Sequence, residues 1–152
     1  MNTLQRIVDN TPKTSLLQTV ARWILGVALL YAGIGHLTFA REEFLAQVPQ
    51  WVPLNSDLVV VLSGIVEIVL GAALIVLARY RALVGWATAL FFVAIFPGNI
   101  AQYLNGTDAF GLNTDQARAI RLLFQPLLVL WALWSTGAWA AWRAHHAEGE
   151  TS

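Results

Sequence analysis

The chain has 152 residues, 57% of them hydrophobic and 12% charged, and a formal net charge of zero; an ordinary soluble domain carries about 25% charged residues. Such a chain is one domain built for a lipid environment, and its neutrality argues against nucleic acid as a partner. It has no cysteine and three histidines, of which only His36 lies in an apolar stretch, so thiolate metal sites, iron–sulfur clusters, covalent haem and a bis-histidine haem are excluded for a single copy.

In chain order, residues 1–19 are polar, with Leu4, Ile7 and Val8 at the spacing of a short interfacial helix. A bilayer core of about 30 Å takes about 20 helical residues. Val20–Phe39, Leu58–Ala78, Ala82–Gln102 and Ile120–Trp142 each reach that length with few polar residues. The first span should be retained rather than cleaved, because Gly33-Ile34-Gly35 is followed by His36 and not by a small-residue cleavage site. Ala40–Asp57, with Pro49 and Pro53, reads as a loop containing a short interfacial piece. Arg79-Tyr80-Arg81 reads as a tight turn, and Tyr103–Ala119 holds the turn formers Asn105-Gly106, Asp108, Gly111 and Asn113. The expected fold is all-α: a single integral membrane domain, a four-transmembrane-helix bundle.

Lys and Arg collect on the cytoplasmic side of such a bundle. Arg6, Lys13, Arg22, Arg79, Arg81 and Arg143 fall on one side, whereas Arg41, Arg118 and Arg121 share the other with Glu42, Glu43, Asp57, Asp108 and Asp115. Both termini are therefore expected in the cytoplasm, with 1–19 and 143–152 as polar cytoplasmic ends. Trp23, Tyr80, Trp86, Trp139 and Trp142 near one surface, and Trp51 and Tyr103 near the other, suit interfacial aromatic belts.

That orientation places the polar residues of all four spans in the outer half: His36 in the first, Ser63 and Glu67 in the second, Asn99 and Gln102 in the third, Arg121 and Gln125 in the fourth. The inner half is expected to hold none except arginines at helix ends. Glu67 sits about 15 Å deep, where a carboxyl must be neutral or paired, and Arg121 is its expected partner. Ser63 with Glu67, and Arg121 with Gln125, are i,i+4 pairs on one helix face. Ala28 and Ala32 form a small-residue face leading to His36, and Gly64 and Gly71 allow a neighbouring helix to approach closely. Pro97 and Pro126 free the carbonyls of Val93 and Leu122, beside the amides of Asn99 and Gln125. Two readings stay open: a polar cavity that binds a ligand, or interhelical clamps only. A metal site is not expected, since His36 and Glu67 fall short of the three protein ligands of a catalytic zinc. The order His36 then Ser63/Glu67, followed by Asn99 then Arg121/Gln125, suggests a repeated hairpin.

These residues resemble the DoxX family of small four-helix bacterial membrane proteins. The resemblance runs from about Tyr31 to Trp131. It rests on Tyr31-Ala32-Gly33 with His36, Pro49-Gln50-Trp51-Val52-Pro53, Ser63-Gly64 with Glu67 and Gly71, Phe96-Pro97-Gly98-Asn99-Ile100, and Arg121 with Gln125. Gly98 departs from the alanine more usual there. The resemblance implies the bacterial inner membrane and a link to redox complexes, since the namesake is associated with a thiosulfate–quinone oxidoreductase or quinol oxidase complex; fold-level analogy alone carries that activity.

The leading expectation is an accessory or binding subunit holding a small lipid-soluble molecule, a quinone being the candidate, among His36, Ser63, Glu67, Asn99, Gln102, Arg121 and Gln125. No cofactor is intrinsic to the chain, and autonomous catalysis is disfavoured; a redox role would belong to a larger quinone-dependent complex. The alternatives are a small transporter or a scaffold that recruits redox proteins. Expected partners are membrane lipid, proteins of such a complex and, as an open question, further copies of the chain.

Overall fold

The computed structural model describes residues 2–150, so Met1 and the Thr151–Ser152 end of the expected polar tail lie outside the described residues. Every regular element in the described residues is helical: α1 Thr3–Asp9, α2 Leu16–Leu37, α3 Arg41–Gln47, α4 Ser56–Val76, a 3-10 turn Ala78–Tyr80, α5 Arg81–Asn105, α6 Asp115–Ser135 and α7 Ala138–Glu150. Four of these, α2, α4, α5 and α6, are long and apolar enough to cross a membrane.

Three of the long helices begin ahead of the apolar stretch that marks them, because a polar cap starts each one. Ser15 and Gln18 form a capping box at α2. Asn55 caps α4 and Thr114 caps α6. α5 ends at Gly106, whose left-handed backbone accommodates the turn.

The fourth expected span, Ile120–Trp142, is not one helix. α6 stops at Ser135, and Gly137 turns the chain with φ +73° before α7 begins. The corner is packed as well as bent. A Cβ on Gly85 of α5 would fall 2.0 Å from Thr136 Oγ1, so the third helix lies directly against the turn. Ser135-Thr136-Gly137 is a local turn signal at this corner, but apolar residues on both sides keep the stretch hydrophobic on average, so span length and composition alone run through it. The expected polar tail from Arg143 onward is accordingly the second half of a helix.

Two antiparallel hairpins build the bundle, α2 against α4 and α5 against α6, with α2–α6 and α4–α5 contacts closing the ring. Glycine sets the first hairpin. A Cβ on Gly33 would lie 2.7 Å from the Gly64 carbonyl oxygen, and one on Gly71 would lie 2.6 Å from that of Gly26. The backbones touch there, leaving no room for a side chain. At the end where α7 packs, Leu25, Leu74, Ala82, Val84, Ala89, Ala132, Leu133 and Ala138 form a closed apolar core.

That half is not free of polar groups as expected. Thr88, Ser135 and Thr136 are fully buried. The hydroxyls of Thr88 and Thr136 donate back to Val84 and Ala132 carbonyls of their own helices, 2.8 and 2.6 Å away, which hides them at little cost. Arg22, also buried, donates to the Leu74 carbonyl at the end of α4.

Candidate functional site: a polar-walled cavity

At the opposite end, where α3 lies, the two hairpins part around a cavity of about 790 Å³, within the range of small-molecule pockets. Its wall is mostly apolar. His36, Ser63, Glu67, Asn99, Arg121 and Gln125 bring polar groups to it from all four long helices. Each is placed by the helical repeat: Ala28, Ala32 and His36 share one face of α2, and Ser63 and Glu67 one face of α4.

Gln102 does not reach the cavity. Its amide donates to the Thr107 and Ala109 carbonyls at 3.2 and 3.4 Å, and its oxygen accepts from Gln47 at 2.7 Å. It therefore ties α3 to the loop after α5. A sequence position near the end of α5 does not distinguish the inward face from the loop-facing one.

The expected Glu67–Arg121 pair is also absent. Glu67 Oε2 lies 2.7 Å from His36 Nδ1, both side chains being buried. The Nδ1–H direction, however, runs to the Ala32 carbonyl 3.0 Å away, and Oε2 has no aligned hydrogen-bond partner. The contact is a close electrostatic approach rather than a formed hydrogen bond. Because a carbonyl only accepts, the Ala32 bond places a hydrogen on Nδ1.

Across the cavity, Gln125 is the junction. Its Nε2 donates to the Phe92 carbonyl at 2.7 Å, and its Oε1 accepts from Asn99 Nδ2 at 3.1 Å and from Arg121 Nη1 at 3.2 Å. The amide thus serves the carbonyl next to the one freed by Pro97, not the Val93 carbonyl expected, and Asn99 serves Gln125 instead of a freed carbonyl. Gln125 thereby links the Phe92 carbonyl, Asn99 and Arg121. Arg121 has five N–H donors and only this one protein acceptor among the described residues. The Ser63 hydroxyl has no protein partner among them either.

A roof closes the end. Phe44 of α3 stacks on the His36 ring with centroids 3.3 Å apart and planes 14° from parallel, and meets Phe110 edge-on at 4.7 Å. Glu43 accepts from the Phe110 backbone N–H. Arg41 donates to Asp57 at 2.5 Å, and that hydrogen bond, with the carboxylate charge, raises the Arg41 pKa. Arg118 gathers Asp108, Asp115 and the Thr107 carbonyl, fixing the loop against the start of α6. Phe44 and Phe110 escape a reading of the spans because both lie outside them. The seven-residue spacing of Gly26 and Gly33, mirrored by Gly64 and Gly71, was the available signal for the hairpin seam.

These features define a small all-α protein with four long apolar helices around an internal cavity whose polar groups gather at one end. The chain belongs to the family described as a domain of unknown function, DUF8561, which matches residues 25–136. No curated protein and no solved structure matches it.

Proposed function

We propose that the chain is a DoxX-like multi-pass protein of the bacterial inner membrane, with both termini cytoplasmic, that holds one small lipid-soluble molecule in the outer half of its bundle. It acts as the binding or accessory subunit of a larger redox complex. The observation that carries the reading is the cavity of about 790 Å³ into which His36, Glu67, Asn99 and Arg121 converge from separate helices. Packing alone gives no reason to leave such a space beside an unpaired guanidinium. A quinone suits the site in kind: an apolar body for the walls and carbonyl oxygens for Arg121 and Ser63 to meet. The apolar core at the α7 end supports holding over carrying, since a transporter needs a path through that half.

The test is purification in mild detergent followed by mass spectrometry of extracted small molecules. A lipid-soluble compound should accompany the wild-type protein in near-stoichiometric amount and be depleted in a folded Arg121→Gln variant. Wild-type protein that carries no such compound would favour the scaffold reading.

A further inference from the structure

Within the cavity wall, the described ionisable groups are His36, Glu67 and Arg121. Glu67, the one carboxylate among them, lies 2.7 Å from His36 Nδ1 and makes no ion pair with Arg121. The neighbouring acids are paired elsewhere: Asp108 and Asp115 with Arg118, and Asp57 with Arg41. Among the described residues no carboxylate lies within 4 Å of the Arg121 guanidinium, although Arg118, one turn earlier, holds two. Arg121 is thus a cation with one neutral protein acceptor, lining a cavity whose wall is mostly apolar.

A guanidinium is costly to hold away from water without an anion, and its fork matches carboxylate and phosphate oxygens in a bidentate arrangement that a carbonyl cannot offer. Resting on the cavity reading above, we infer that the occupant is an amphiphile with an anionic head group, its acid oxygens on Arg121 and its apolar chain along the cavity wall. The volume, that of a drug-sized pocket, suits a single-chain molecule such as a long-chain carboxylate. The same head-group chemistry has a second source, the phosphate of an acidic membrane lipid.

Three probes separate these possibilities: palmitate, methyl palmitate and phosphatidylglycerol, each titrated into the full-length protein in a neutral detergent and followed by native mass spectrometry. Methyl palmitate has the same chain and carbonyl but no charge. Palmitate should bind at least about tenfold tighter than its ester, the scale of a charge-assisted hydrogen bond. Arg121→Gln should erase that preference and Arg121→Lys should keep part of it, with circular dichroism showing that both are folded. Saturable, Arg121-dependent binding of phosphatidylglycerol that displaces palmitate would support the anion site and assign it to membrane lipid. Ester and acid binding equally well would overturn the inference while leaving the cavity reading in place. No saturable binding of palmitate or phosphatidylglycerol would overturn the inference, and the cavity reading falls with it only if the wild-type protein also purifies without any lipid-soluble compound.

Discussion

His36 Nδ1 and Glu67 Oε2 stand 2.7 Å apart, and they do so because no side chain separates α2 from α4 one turn away. A Cβ on Gly64 would lie 2.7 Å from the Cβ of His36, and one on Gly33 would strike the Gly64 carbonyl at the same distance. The glycine seam and the polar pair are therefore a single feature. Backbone contact brings an imidazole and a carboxyl together that helices at ordinary spacing would hold apart.

Gly64→Ala should consequently disturb the pair as well as the packing. The neighbours in the way are the His36 Cβ and a backbone carbonyl, which cannot swing aside. A loss of about 1–3 kcal/mol is expected, as for an overpacked core, read as a lower unfolding temperature in detergent. Gly149→Ala, where nothing lies within 4 Å of the added methyl, should leave that temperature unchanged. Equal behaviour of the two variants would mean that the seam is looser than described.

A double-mutant cycle in detergent should find coupling between His36 and Glu67 and not between Glu67 and Arg121. Contacting residues couple by about 0.5–3 kcal/mol, whereas separate ones add within about 0.5 kcal/mol. Glu67→Gln combined with Arg121→Gln should therefore show simple additivity, with no rescue. Rescue would restore the Glu67–Arg121 clamp that the spacing of the residues first suggests.

Gln125→Leu should be the most damaging single change among the polar wall residues. It would leave the Phe92 carbonyl, the Asn99 amide and one Arg121 N–H without their partner at once. Each stranded buried group costs about 1–3 kcal/mol. Expression and thermal unfolding are the readouts, and a stability equal to wild type would show that water or a ligand replaces the amide.

For topology, a reporter active only in the cytoplasm should give signal when fused after Ser152, and one active only outside should do so within the Asn105–Asn113 loop. The basis is the weight of Arg and Lys on the α7 side. Activity of a C-terminal fusion that works only in the periplasm would reverse the proposed orientation.

The sequence by itself determined that the chain is all-helical with four long apolar helices, because hydrophobic length and turn chemistry are local properties that each segment carries alone. It also singled out His36, Ser63, Glu67, Asn99, Arg121 and Gln125, because polar groups are conspicuous in apolar stretches. Which of them touch was decided only by the tertiary structure. Glu67 meets His36 and not Arg121 because a glycine seam presses α2 on α4, and pairing depends on how two helices rotate and approach, which neither encodes alone. Gln102 turned toward α3 for the same reason. The break at Gly137 follows Ser135-Thr136, an interruption too short to offset the apolar residues on either side, and the packing of Gly85 against Thr136 fixes the turn there. The roof of Phe44 and Phe110 joins α3 to a loop 66 residues away in sequence, a contact that periodicity within either segment does not contain.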